Sequence, residues 1–287
     1  MTMRHERCIL TDCFSGLSSD QSPALITYLP DNFDRIDPER KRPCVLICPG
    51  GGYRWRVTRE GEPIALRFLA AGFNAFVLEY SLTPVSYPQQ LLEISAAAAL
   101  IRRNAEVWNV RADQLAVCGF SAGGHLAGNL AVSWQEPFLA ETLALAPEEN
   151  RPDAVVMAYP VVTAHHPVHM KTFDFLFHTE APAVQQLEQV SLETLVTNKT
   201  PPVFLYHTRE DEVVPVEHSL MFAAALAEAG IPFELHAYGW GRHASALATY
   251  ETAPHGHPDE ICPHLATWTE LSIEWLRRVM RIDRENP

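Results

Sequence analysis

The chain has 287 residues, 47% of them apolar and 20% charged, and a formal net charge of -13 at pH 7. Such a composition belongs to soluble globular proteins with a sizeable core and excludes a disordered chain. The acidic balance, with no basic run longer than Arg40-Lys41-Arg42, argues against a nucleic-acid partner; a charged N-terminus and the lack of any stretch approaching ~18 apolar residues argue against a leader or membrane span and point to the cytoplasm.

In chain order, residues 8–10 and 24–28 predict two opening antiparallel strands, followed by a polar connection over 31–42. From residue 43 onward, short β-branched apolar runs alternate with segments of helical period, which implies βαβ units and a parallel sheet. Strands are predicted at 44–48, 73–79, 114–118, 153–159, 202–206 and 233–237. Helices are predicted at 63–71, 89–108, 122–134, 216–229 and 265–281. The segment 163–200 breaks the alternation with histidines, prolines and Phe173, Phe175 and Phe177, and carries one weak helical run over 183–196. Loops this long in compact domains are often lids, so it reads as a small cap inserted into a single α/β domain spanning 1–287. The six cysteines, at 8, 13, 44, 48, 118 and 262, lack the dense spacing of a disulfide scaffold. Cys44 and Cys48, in an apolar run, read as core thiols.

The chemistry centres on Gly119-Phe120-Ser121-Ala122-Gly123, a GxSxG pentapeptide set between a strand and a helix. A sharp strand-to-helix turn strains the serine backbone and needs small neighbours; it also sets Ser121 at a helix N-terminus, which favours developing negative charge. A serine needs a base to take its proton, and an anionic intermediate needs preset donors. Pro49-Gly50-Gly51-Gly52-Tyr53 follows the first parallel strand and supplies flexible backbone N–H groups, so Gly51, Gly52 and Ala122 are the candidate oxyanion donors. A carboxylate is expected after the strand at 202–206, where Asp211 is preferred over Glu210 and Glu212; the competing role for Asp211 is to cap the next helix. A base is expected last, and His243 just past the strand at 233–237 fits better than His236, His255, His257 or His264. The order Ser, Asp, His is that of the α/β-hydrolase triad.

With these motifs the chain resembles the bacterial acetyl-esterase and acetyl-xylan-esterase-like α/β-hydrolases, a group related to hormone-sensitive-lipase-like esterases and kynurenine formamidases. The resemblance runs from about Leu25 to Arg278 and rests on PGGGY at 49–53, REGEPIALRFLAAGF at 59–73, CGFSAGGHLA at 118–127 and HTREDEVVPVEHSL at 207–220. It implies a mostly parallel sheet with helices on both faces. It also implies hydrolysis of small acyl esters, commonly acetyl groups on sugars, without metal or organic cofactor. Two departures stand out: Pro49 where lipase-like relatives have histidine, and Ala244 where many relatives have glycine after the base.

Other readings compete. Tyr53, Arg54, Trp55 and Arg56 follow the oxyanion loop and are candidate substrate contacts, the aromatic faces suited to a sugar ring. Arg59 and Glu60 read as a local charge pair. His255, His257, Cys262 and His264, and separately His165, His166 and His169, hold enough donors for zinc without the spacing of a specific site. An amide hydrolase of the formamidase kind, a non-catalytic relative and a homodimer remain open at the level of sequence.

Overall fold

The computed structural model describes residues 3–165 and 171–282. The strands are β1 (Met3–Arg4), β2 (Arg7–Ile9), β3 (Ala24–Pro30), β4 (Arg42–Cys48), β5 (Asn74–Glu79), β6 (Val110–Phe120), β7 (Ala154–Ala158), β8 (Val203–Thr208) and β9 (Phe233–Tyr238). They form one sheet in the order β1-β3-β5-β4-β6-β7-β8-β9, with β2 also pairing with β3. From β5 through β4 to β9 every neighbour is parallel, whereas β3 runs antiparallel to β5 and to the two short opening strands. The expected architecture is therefore observed.

The sheet holds because its strands are apolar on both faces. In β4, Val45 and Ile47 point to one side, against Ile64 and Phe68 of α2 (Glu62–Ala70) and Trp268 and Leu276 of α10 (Trp268–Val279). Leu46 and Cys48 point to the other, toward Leu91 and Ile94 of α3 (Gln89–Arg103) and Leu126 and Leu130 of α4 (Ala122–Ser133). Side chains alternate across a strand, so covering both faces requires the near-continuous apolar runs seen in the sequence. Helix α4 is buried on every side, as befits a helix between a sheet and an overlying segment. The six cysteines are unbridged, and burial pushes the Cys44 and Cys48 thiols up.

Several boundaries differ from expectation. Helix α3 stops at Arg103 rather than near Trp108, because Asn104 leaves helical geometry and the chain turns through Asn109 at φ 52°. The short helices α1 (Leu10–Cys13) and α5 (Pro137–Leu143) were not foreseen. The helical run expected over 183–196 is broken into α7 (Val184–Glu188) and a 3-10 turn at Leu192–Thr194, preceded by α6 (Lys171–Leu176). Between the two pieces, the Val190 carbonyl turns inward to accept a hydrogen bond from His125 Nε2 at 2.8 Å. The last predicted helix is divided into α9 (Pro263–Ala266) and α10. The remaining helix, α8 (Glu217–Glu228), joins β8 to β9.

Candidate active site

The carboxyl ends of β4, β6, β7, β8 and β9 open on one edge of the sheet, where open α/β folds bind their ligands. Ser121 follows β6 with φ 52° and ψ -118°, and its N–H is held by the Ala158 carbonyl at 3.0 Å. The neighbouring glycines are forced by contact: a Cβ at Gly119 would lie 2.1 Å from the Gly123 carbonyl oxygen, and one at Gly123 would lie 2.1 Å from that of Cys48. This crowding lifts the hydroxyl above the sheet. Because α4 begins at Ala122, that residue's N–H lies ahead of the intrahelical ladder.

Ser121, His243 and Asp211 converge. His243 Nε2 lies 2.8 Å from Ser121 Oγ, and His243 Nδ1 lies 2.6 Å from Asp211 Oδ2. An ionised carboxylate only accepts, so Nδ1–H donates to Asp211 and Nε2 is left to accept the serine proton. The second carboxylate oxygen of Asp211 accepts from Val213 N–H at 2.9 Å and Val214 N–H at 2.8 Å. The local turn-holding role and the imidazole-orienting role thus use different oxygens of one side chain. Burial of Asp211 works against its charge, but hydrogen bonds from His207 and His243, the charge of His243 and the Val214 N–H outweigh it and hold the carboxyl well below the usual range. Glu210 and Glu212 are exposed.

A cavity of about 410 Å³ opens over the serine, lined by Gly51, Gly52, Trp55, Glu60, Phe175 and Val213 among others. Gly51 and Gly52 both adopt positive φ, 123° and 64°. Phe175 and Thr172 bring α6, part of the segment inserted between β7 and β8, into the cavity wall.

A profile of the BD-FAE family matches residues 28–226. The chain belongs to the BD-FAE family. It is 38% identical over 233 residues to an endo-1,4-beta-xylanase B of Butyrivibrio fibrisolvens, covering 80% of this chain and 35% of that one. An acetylxylan esterase of Xylanibacter ruminicola is 25% identical over 258 residues, covering 88% of this chain and 49% of the relative. The chain thus spans about a third to a half of these two proteins. Among solved structures, an acetyl ester-xyloside bifunctional hydrolase from Caldicellulosiruptor lactoaceticus superposes with a TM-score of 0.82 at 31% identity, covering 97% of this chain and 98% of the other. A carboxylesterase from Lactobacillus plantarum gives 0.82 at 25% identity, with the same coverages.

In this BD-FAE member the expected substrate contacts need revision. Tyr53 is fully buried, and its hydroxyl meets His125 Nδ1 at 2.7 Å; it is a support beneath the loop, not a cavity wall. Since His125 Nε2–H donates to Val190, Nδ1 accepts from Tyr53, and burial lowers the His125 pKa to about 4. Arg54 lies over the rings of Trp55 and Phe175 at 5.7 and 5.4 Å. Arg56 turns away to the Tyr80 carbonyl at 2.6 Å. Trp55 does line the cavity and remains 54% exposed, open to an incoming ring.

Arg59 and Glu60 are not a pair. Arg59 binds Glu260 at 2.8 Å, while Glu60 is fully buried, accepting from Gly50 N–H at 2.7 Å and Tyr159 O–H at 2.8 Å. Sequence offered no sign of this, because an acid beside an arginine at a helix start is usually solvated. Among the described residues no group of three or more His, Cys, Asp or Glu side chains is arranged to hold a metal. His255, His257 and His264 are exposed, and His166 and His169 lie outside the described residues.

Proposed function

We propose that the chain is a serine carboxylesterase acting on short acyl esters, with acetylated sugars or oligosaccharides as the substrate class. The observation that carries the proposal is the pair of contacts at His243, 2.8 Å to Ser121 Oγ and 2.6 Å to Asp211 Oδ2. Such a chain of contacts lets imidazole take the serine proton as Oγ attacks the ester carbonyl. Gly51, Gly52 and Ala122 supply N–H groups for the oxyanion. The imidazolium then protonates the departing alcohol, leaving an acyl-serine. Water, deprotonated by the same imidazole, releases the acid.

Two features support a carbohydrate alcohol. Trp55 presents a half-open aromatic face beside the nucleophile, and the names of two relatives, a xylanase and an acetylxylan esterase, place them in xylan chemistry.

The first test is Ser121→Ala, expected to keep its fold by circular dichroism and to lose at least ~10³-fold in kcat on 4-nitrophenyl acetate. Near-wild-type turnover by that variant would overturn the proposal. The substrate class is tested with acetylated xylo- and manno-oligosaccharides alongside N-formylkynurenine. Release of acetate from the sugars, with the amide untouched, is the expected outcome; preferential cleavage of the amide would replace the ester assignment.

A further inference from the structure

We propose that Glu60 is a positioning residue of this active site: its buried carboxylate fixes the oxyanion loop and the tyrosine that supports His243, and its negative charge favours the imidazolium formed during acylation. The proposal rests on the serine-esterase assignment above.

Glu60 joins three segments that the reaction must hold together. One carboxylate oxygen accepts the Gly50 N–H and so pins the loop whose next two residues face the substrate. The other accepts the Tyr159 hydroxyl, which follows β7. Tyr159 in turn accepts the Ala246 N–H at 3.1 Å, and its ring meets that of His243 edge-on with centroids 5.0 Å apart. The space is tight as well, since a Cβ on Gly50 would lie 2.9 Å from Glu60 Oε2 and 2.9 Å from Ser121 Cβ. The loop, the serine and the carboxylate share one small volume.

Both oxygens of Glu60 face donors, which is the geometry of an ionised carboxylate. A protonated one would point its O–H at the Gly50 N–H, which cannot accept, or at the Tyr159 hydroxyl, which would then have to stop donating to Glu60. The titratable and charged groups around Glu60 are His243 from the loop after β9, Tyr159 after β7, Tyr206 on β8, Cys118 on β6, Tyr80 after β5 and Arg59 beside it in sequence. Burial raises the Glu60 pKa above the usual carboxylate range, only partly opposed by the Gly50 N–H, the Tyr159 hydroxyl, His243 and Arg59. Arg59 is largely engaged by Glu260 and the Thr252 carbonyl. His243 is therefore the cation that forms and disappears beside Glu60 in each catalytic cycle, and a charge in a low-dielectric pocket acts strongly on such a neighbour.

The experiment compares Glu60→Gln and Tyr159→Phe with wild type on 4-nitrophenyl acetate, with kcat referred to the concentration of fluorophosphonate-reactive sites. Glu60→Gln turns an amide toward the Gly50 N–H or the Tyr159 hydroxyl and removes the charge. We expect kcat per site to fall by about 10²-fold, the scale of a displaced oxyanion donor, with KM within about threefold. The acid limb of kcat/KM should move to lower pH, because the imidazole has lost the anion that favours its protonation. Tyr159→Phe keeps the charge but removes one donor from Glu60, so the carboxylate protonates more readily. By the same argument its acid limb should move in the same direction as that of Glu60→Gln, to lower pH but by less, with kcat down by about tenfold.

Kcat per site within about twofold of wild type and unmoved limbs would overturn the inference, as would a loss confined to the number of reactive sites. Should Glu60→Gln not fold, the direction of the Tyr159→Phe limb decides. Failure of wild type to react at Ser121 would overturn the esterase assignment and this inference together. Normal labelling of wild type with indifferent Glu60 and Tyr159 variants would overturn this inference alone.

Discussion

His125 lies between the Tyr53 hydroxyl and the Val190 carbonyl, and its complete burial favours the neutral imidazole. An unfolded histidine titrates near 6.5, whereas His125 in the fold titrates at about 4. Between those values the unfolded chain binds the proton more readily, so stability present above pH 6.5 is lost as pH falls through the window. At about 1.4 kcal/mol per pH unit this side chain withdraws about 3 kcal/mol of unfolding free energy between pH 7 and pH 4. Urea unfolding of wild type and His125→Asn across that range should show a flatter pH slope in the variant, by about that amount, together with lower stability at pH 7. Equal slopes would mean that the imidazole is not held neutral. Asp211, with its pKa depressed, stabilises at higher pH and loses that contribution only in more acidic solution than the His125 window. At this scale motif and chain order were enough to expect Ser121, Asp211 and His243 to meet, and their side chains do. The sequence was opaque where only packing decides: nothing in PGGGY says that Tyr53 turns down to His125 while Trp55 stays in the cavity wall, and nothing in Arg59-Glu60 says that the acid turns inward.

The turn between β6 and α4 is the element on which the site depends, and its geometry is set by backbone contact. A Gly123→Ala substitution would force a methyl group against the Cys48 carbonyl at 2.1 Å, a clash that no side-chain rotation relieves. We expect a loss of at least ~3 kcal/mol, the upper range of overpacking. For a chain of this length that corresponds to roughly 6–12 °C in Tm, with esterase activity lost in the fraction that still folds; differential scanning fluorimetry and active-site labelling would measure both. A variant melting within about 2 °C of wild type would contradict the geometry. The strands β4 to β8 were readable because burial on both faces writes itself as unbroken apolar runs. Helix ends were less readable, since α3 ends at Arg103 through the backbone of Asn104 rather than through a proline or glycine. Within the segment between β7 and β8, the single helical run expected over 183–196 is two pieces, because a buried carbonyl, Val190, interrupts it to bind a histidine far away in sequence.

Across the whole molecule, a net charge of -13 surrounds an apolar cavity. Such a field repels anionic substrates and leaves neutral ones unaffected. We expect kcat/KM for a negatively charged ester such as 4-nitrophenyl succinate to rise by about twofold as ionic strength is raised from about 0.01 to 0.15 M, the range over which the Debye length falls from about 30 to 8 Å. The value for 4-nitrophenyl acetate should stay level; parallel salt responses for the two esters would remove long-range charge from the account. Distance along the chain carries a different consequence. The hydroxyl of Ser121 meets its imidazole 122 positions later, and Arg59 finds its carboxylate 201 positions away. A ribosome that has released the polypeptide only as far as β8 has already delivered Ser121 and the glycines at 50–52, but not His243. On the proposed mechanism the nascent chain is therefore inert toward esters throughout most of its synthesis, and reactivity begins only once the segment after β9 folds back over the sheet edge.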